Sequence, residues 1–315
     1  MNSFILPFNV PPSSIRVSHS TNLFFIGSCF SDEISKLALL HGLNAVSNPF
    51  GTIFHPIPIA NNLLNSINNK SIDNEIIQSS DLYLSSFLSS KIYDHSKEQL
   101  TDKIIKIRHQ VVKDLKHSDV LFITFGTSWG YRSKINNELV ANCHKLPQDK
   151  FTKELSEVEI MYNVWSELLH IFKREFPQLK VVFTISPVRH SKDGLIENNR
   201  SKSRLFELVH LLCEKYNVEY FPSYEIILDE LRDYRFYKTD RVHPTDEAVS
   251  YVWDKFMNCF LSKDSIELCR EVLKVKKGLS HVPIHSDSIQ SKKHKIKISS
   301  KIKDLSKECP SINWE

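Results

Sequence analysis

The sequence predicts an α/β protein built on a doubly wound, mostly parallel five-stranded sheet. Three observations carry this reading. Short apolar runs at residues 23–26, 43–47, 119–125, 180–185 and 218–221 alternate with longer stretches of helical periodicity. The runs at 23–26 and 119–125 are continuously apolar rather than alternating, as strands covered on both faces require. The runs also stop at small or polar loops: Gly27-Ser28, Asn48-Pro49-Phe50-Gly51-Thr52, Gly126-Thr127-Ser128 and Ser186-Pro187. Strands separated throughout by helices give a parallel sheet with right-handed crossovers and its loops gathered along one edge.

The elements follow in order. The first run ends at Gly27 and hands over to Ser28. Asp32 and Glu33 then stand in the first turn of a helix whose positions Ile34, Leu37, Ala38 and His41 recur at helical spacing. Ser28 therefore lies at a strand-to-helix junction. In open parallel sheets ligands bind at such junctions, and the backbone N–H groups of a helix start hold anions, although a serine there equally serves as a cap. His41-Gly42 closes the helix, and the second strand follows. Pro56 and Pro58 open the next helix, over 59–67, since proline is accepted in a first turn. Residues 61–74 read as a polar connection. Residues 81–93, serine-rich and loosely alternating, are expected to lie over the sheet as a lid or wall.

Leu100, Ile104, Ile107, Val111 and Leu115, with lysines between them, mark a surface helix with one buried face, and the third strand follows directly. A helix is expected from about 152 to 176, then the fourth strand, a helix from about 201 to 216 and the fifth strand. The last core helix, over 245–261, begins beside Asp240-Arg241-Val242-His243-Pro244. From Lys263 the character changes. Residues 274–307 are rich in Lys, Ser and His and short of large apolar side chains, which describes a solvated tail. The expected division is a catalytic domain over 1–262 and a Lys-rich appendage or tail over 263–315.

Composition narrows the function. A chain of 315 residues with 41% hydrophobic content builds a sizeable core. A net charge of +4, with lysines concentrated toward the C-terminal end, makes no global basic field, so nucleic acid is not an expected partner. Six cysteines without CxxC pairs read as reduced thiols rather than a disulfide framework or a zinc ribbon. The first ten residues lack a basic start and are interrupted by Pro7, unlike a signal peptide or membrane span, so a cytoplasmic location is expected.

The chemistry-bearing residues lie at the two ends of the core. Asp240 precedes His243 by three, and a carboxylate that near an imidazole orients it to activate a hydroxyl, although a capping Asp beside a histidine is equally common. A serine after the first strand, glycine loops after the second and third, and DxxHP before the last helix together resemble the four signature blocks of SGNH-type hydrolases, of flavodoxin-like architecture. More narrowly, Gly27-Ser28-Cys29-Phe30-Ser31 resembles the motif of the GSCFA family, with Ser31 in place of its alanine. The resemblance continues through Asn48-Pro49-Phe50-Gly51-Thr52, Phe125-Gly126-Thr127-Ser128, Ser186-Pro187-Val188-Arg189 and Asp240 to Pro244, and covers roughly residues 18–260.

The SGNH resemblance implies Ser28 as nucleophile, His243 as general base and Asp240 as its partner. It implies an oxyanion hole from the backbone N–H groups of Ser28 and Gly51. The third block of relatives adds an asparagine side chain where this chain has Ser128, so a hydroxyl of Ser128 or of Thr127 is the expected substitute, and a weaker one. His55, His144, Arg189, His190, Asn199, Lys202, Arg235 and Tyr237 stand on or near the loops of the same edge as candidate contacts for a hydroxylated or anionic substrate. Cys29 is a rival nucleophile, although small cysteines at strand ends often fill core, and the pair Cys143-His144 lacks a carboxylate or second ligand.

The resemblance implies an esterase, or an acetyl or other acyl transferase, acting through an acyl-enzyme on a small acyl ester or O-acetylated carbohydrate, with no cofactor or metal. Two other classes remain open: a non-catalytic module binding a glycan or peptide in the same crevice, and an assembly factor holding an acidic partner with its basic tail.

Overall fold

Along the first strand, β1 (Asn22–Gly27), Phe24 and Ile26 pack into one buried cluster and Leu23 and Phe25 into another. The strand is thus covered on both faces, as its unbroken apolarity requires. The computed structural model describes residues 6–72, 75–280 and 289–314. Its central sheet also contains β2 (Asn44–Ser47), β3 (Val120–Phe125), β4 (Lys180–Ile185) and β5 (Glu219–Phe221). All its pairings are parallel, in the order β5-β4-β3-β1-β2. The chain therefore reverses its winding direction at β1 and β3, and the crevice beyond their carboxyl ends is the topological switch point where ligands bind in such sheets.

Helices α2 (Pro56–Ile67), α3 (Lys97–His117), α4 (Val158–Glu175) and α5 (Leu195–Lys215) share a core with Phe24, Ile26, Leu121, Ile123 and Phe183. On the other face α1 (Cys29–Leu40), α6 (Asp246–Phe260) and α7 (Lys263–Ser280) pack around Leu23, Phe25, Phe122 and Phe221. There Phe25 stacks on Phe122 at 4.9 Å, with Phe256 and Phe260 against the same ring.

Several expectations need correction. Residues 151–155 form a strand, not the start of a helix: Phe151–Leu155 pairs antiparallel with Trp129–Ser133, which also pairs with Leu139–Val140. The chain leaves that strand at Ser156, whose N–H donates to Ser128 O at 3.0 Å, so α4 begins only at Val158. The serine-rich excursion is a second antiparallel sheet of Ile76–Ser79, Leu82–Ser85 and Tyr93–Asp94. Helix α5 starts at Leu195, a turn and a half before the expected Ser201.

The stretch from Lys263, expected as an appendage or solvated tail, is helical in α7 and in α8 (Ile289–Glu308). Helix α7 buries Ile266, Cys269, Val272 and Val275, a three-to-four-residue apolar stripe that the abundance of lysine conceals. The part of 274–307 at residues 281–288 lies outside the described residues. Among those described, no helix is long and apolar enough to cross a membrane.

Candidate active site

Gly27 ends β1 with φ +131°, and a Cβ there would stand 2.1 Å from Thr124 O, so only glycine lets β1 lie this close to β3. Ser28 follows as the cap of α1, just 1% exposed. Its Oγ accepts the Phe30 N–H at 3.3 Å, its own N–H donates to Thr124 O at 3.0 Å, and its carbonyl accepts the Ser31 N–H at 2.9 Å. Cys29, the first residue of α1, is only half-buried. Burial and the carboxylates of Asp32 and Glu33 raise its thiol pKa, while the backbone N–H groups of Cys29 and Phe30 pull it the other way.

Asp32 ties the second loop to this turn: its carboxylate accepts from Ser47 Oγ at 3.1 Å, Asn48 Nδ2 at 2.9 Å and Thr52 Oγ1 at 3.5 Å. Asn48 Oδ1 in turn accepts the Gly27 N–H at 2.8 Å. Gly51, at φ +70°, takes a left-handed conformation that favours glycine, and its N–H donates to Asn48 O at 2.8 Å. The two backbone donors expected of an oxyanion hole, Ser28 and Gly51, are therefore both engaged within the fold.

The third loop departs from expectation in the same way. Ser128 is fully buried, and its Oγ donates to Ser201 O at 3.0 Å while its N–H donates to Ser201 Oγ at 2.7 Å. Thr127 Oγ1 also meets Ser201 Oγ, at 2.9 Å, and accepts the Trp129 N–H. These hydroxyls join the loop after β3 to α5 rather than opening toward the crevice.

Lys202, an expected substrate contact, is 2% exposed. Its ammonium donates to Gly126 O at 2.7 Å and to Ser186 O at 2.6 Å, joining the ends of β3 and β4. Burial lowers its pKa to about 7, and the Cys29 thiol lies within its electrostatic reach.

At the far end of the chain Asp240 and His243 do meet. Asp240 Oδ2 accepts from His243 Nδ1 at 2.7 Å, and Oδ1 accepts the N–H of Val242 at 2.8 Å and of His243 at 3.0 Å. Those backbone donors, then the imidazole, hold the Asp240 carboxyl well below the usual carboxylate range. A carboxylate only accepts, so the imidazole proton sits on Nδ1 and Nε2 remains a base. The pair is about half exposed, on a loop anchored by a bridge between Tyr237 and Pro244. Among the described residues no hydrogen bond joins His243 to Ser28 or Cys29.

The other candidates divide. His55 caps α2, its Nδ1 accepting the Ile57 N–H and its Nε2 reaching Ser128 O and Ser156 Oγ at 3.1 Å each, and burial lowers its pKa to about 4. His144 Nε2 lies 2.6 Å from Ser85 O and fastens its loop to the neighbouring sheet. Both are structural. Arg189 lies over the Tyr237 ring at 5.0 Å, and together with Arg232 and Tyr234 they line a cleft of about 330 Å³. Asn199 accepts from Asn198 Nδ2, and Arg235 pairs with Asp233.

His190 packs edge-on against Phe54 at 5.2 Å and, with its pKa lowered to about 4 by burial and then by Lys202, stays neutral near its neighbour His243. Phe54, which no sequence signal marked, lines a more apolar cleft of about 390 Å³ with Tyr131, Val140 and Phe151. The Cys143 thiol lies in that cleft without an imidazole, since His144 turns away to Ser85.

A model of the GSCFA family matches residues 22–256, a span that includes every loop described above and ends before α7. No curated protein matches the chain significantly. Similar solved structures include a protein described as a GDSL-like lipase from Parabacteroides merdae, 13% identical, the match covering 82% of this chain and 100% of the other with a TM-score of 0.40. Another is an acetyl xylan esterase from the rumen bacterium Butyrivibrio proteoclasticus, 9% identical, covering 77% of this chain and 64% of the esterase with a TM-score of 0.37.

Proposed function

We propose that this chain, which belongs to the GSCFA family, is an SGNH-type acyl hydrolase or acyl transferase. It forms an acyl-enzyme on the Ser28-Cys29 turn, with His243 as base and Asp240 as the group that orients it. One observation carries the reading: the 2.7 Å contact between Asp240 and His243 Nδ1, on a loop beside the carboxyl edge of a doubly wound sheet. A carboxylate on Nδ1 fixes the tautomer that leaves Nε2 free to take a proton, and it stabilises the imidazolium that results. In that state the nucleophile attacks an acyl carbonyl, the imidazolium returns its proton to the leaving alkoxide, and water or another alcohol releases the acyl group.

The two clefts suit an ester with unlike halves. The one beside Phe54 and Val140 is apolar enough for a short acyl group, and the one lined by Arg189, Arg232 and Tyr237 suits a hydroxylated or anionic alcohol such as a carbohydrate. We place the protein in the cytoplasm on the same footing.

The purified full-length chain should hydrolyse p-nitrophenyl acetate, and His243→Ala should lower kcat/KM by at least about a hundredfold without a large loss of thermal stability. A second reading, a binding module that keeps the crevice, is favoured by the engagement of Ser128 with Ser201. Equal rates for wild type and His243→Ala, together with saturable binding of an acetylated oligosaccharide, would favour it over the enzyme.

A further inference from the structure

We infer that Cys29, rather than Ser28, is the nucleophile, so that the covalent intermediate is a thioester; this rests on the reading of the site as an acyl-transfer centre. Ser28 is held on every polar atom but its hydroxyl proton: Oγ accepts from Phe30, N–H donates to Thr124 and C=O accepts from Ser31, in a side chain with 1% exposure. Bringing its Oγ to a substrate would uncap α1 and require room that the turn does not offer. Cys29 stands one residue further on, half-buried at the start of the same helix, with its thiol beside the N–H groups of Cys29 and Phe30.

The backbone donors show the same one-residue displacement. Ser28 N–H and Gly51 N–H are taken by Thr124 O and Asn48 O. Among the described residues, the N–H groups of the following residues, Cys29 and Thr52, make no hydrogen bond to any other residue. Asp32 binds Thr52 Oγ1 and Asn48 Nδ2 from within the first turn of α1, so these two donors belong to one braced unit. An oxyanion held by Cys29 N–H and Thr52 N–H would form on a carbon attached to Cys29 Sγ, and these donors take over the role that Ser28, Gly51 and Ser128 do not fill. Lys202 Nζ, fixed by Gly126 O and Ser186 O, lies within electrostatic reach of Cys29 from beneath the same loops.

Burial and two carboxylates keep the thiol protonated at rest, which makes a base necessary and gives the His243–Asp240 pair its task. The Sγ–H proton passes to His243 Nε2 as Sγ bonds to the acyl carbon. The ester C–O bond breaks, and the alkoxide leaves with the proton from the imidazolium. Water then adds to the thioester as His243 takes its proton, the C–S bond breaks and the thiolate is reprotonated, so the acid and the free enzyme are the products.

The experiment traps the acyl group on full-length protein with p-nitrophenyl acetate, reads the adduct by intact mass and locates it by peptide mapping, which separates Cys29 from the other thiols. The adduct should map to Cys29 and be cleaved by neutral hydroxylamine, as thioesters are and ordinary oxyesters are not. Cys29→Ala should abolish it and lower kcat/KM at least about a thousandfold. Ser28→Ala should still form it, at a lower melting temperature. A hydroxylamine-resistant adduct on Ser28, or its survival in Cys29→Ala, overturns the inference and leaves the acyl-transfer reading intact. If wild type forms no adduct and does not turn over, both fall together.

Discussion

The Asp240 carboxylate holds His243 at two points, accepting from Nδ1 at 2.7 Å through Oδ2 and from the backbone N–H at 3.0 Å through Oδ1. One side chain thereby fixes both the path of the loop and the tautomer of the His243 imidazole. Asp240→Asn keeps the shape but offers an amide where a full charge stood. It should lower kcat by about a hundredfold to ten-thousandfold while shifting the melting temperature little, since the loop is exposed. Steady-state kinetics beside a thermal melt would decide, and a variant retaining more than a tenth of wild-type kcat would remove Asp240 from the machinery.

Ser128 should matter to stability and not to rate. Its hydroxyl donates to Ser201 O in a fully buried position, so Ser128→Ala leaves that carbonyl short of a donor at a cost of about 1 kcal/mol, with kcat within about threefold of wild type. Ser128→Asn should be worse, because a fully buried position would have to take a larger amide. A hundredfold loss of kcat in a fully folded Ser128→Ala protein would return the hydroxyl to the oxyanion hole.

Acid should destabilise the fold before carboxylates titrate. His55 is neutral and buried with its pKa lowered to about 4, against 6.5 for the ordinary group. Between those values the unfolded chain binds a proton that the folded chain refuses, so stability is full above pH 6.5 and declines as pH falls toward 4. His55 alone should account for about 2 kcal/mol between pH 7 and pH 5. His190, lowered likewise to about 4, acts in the same direction. Urea midpoints at the two values test this, and His55→Asn, which keeps a cap for α2, should reduce the difference. An unchanged difference would mean that His55 is protonated in the folded state.

Removal of residues 263–315 should unsettle the domain. Helix α7 buries Ile266, Cys269, Val272 and Val275, and each fully buried apolar side chain contributes about 1.5–3 kcal/mol. A chain ending at Ser262 should melt at least about 10 °C lower or fail to fold. An unchanged melt would show that α7 adds nothing to the stability of the sheet it covers.

How much of this was legible follows from what each feature depends on. The three central strands were readable because a strand covered on both faces writes its burial into nearly every residue, as in Phe24-Phe25-Ile26. The two small antiparallel sheets were not, since strands such as Ile76–Ser79 and Phe151–Leu155 are half-exposed and acquire their shape from partners rather than from composition. Asp240 and His243 are local in sequence and were found together. The engagement of Ser128 by Ser201 joins residues 73 apart, and no local pattern announces it. The choice between Ser28 and Cys29 turns on a single step along a helix start, finer than any boundary that periodicity fixes.

Helices α1 and α6 lie against each other on one face of the sheet, with His41 beside Trp253 at 5.2 Å and Ala38 fully buried in the same cluster. The proposed nucleophile sits at the start of α1 and the proposed base just before α6, so the gap between them is a packing dimension, set by the thickness of side chains a helix length away. A misplacement of about 1 Å costs on the order of a hundredfold in a positioned reaction. Enlarging Ala38 would therefore be felt as a kinetic defect in a protein whose reactive groups are all intact, and a compensating reduction at Trp253 or Phe256 would be the place to look for its repair.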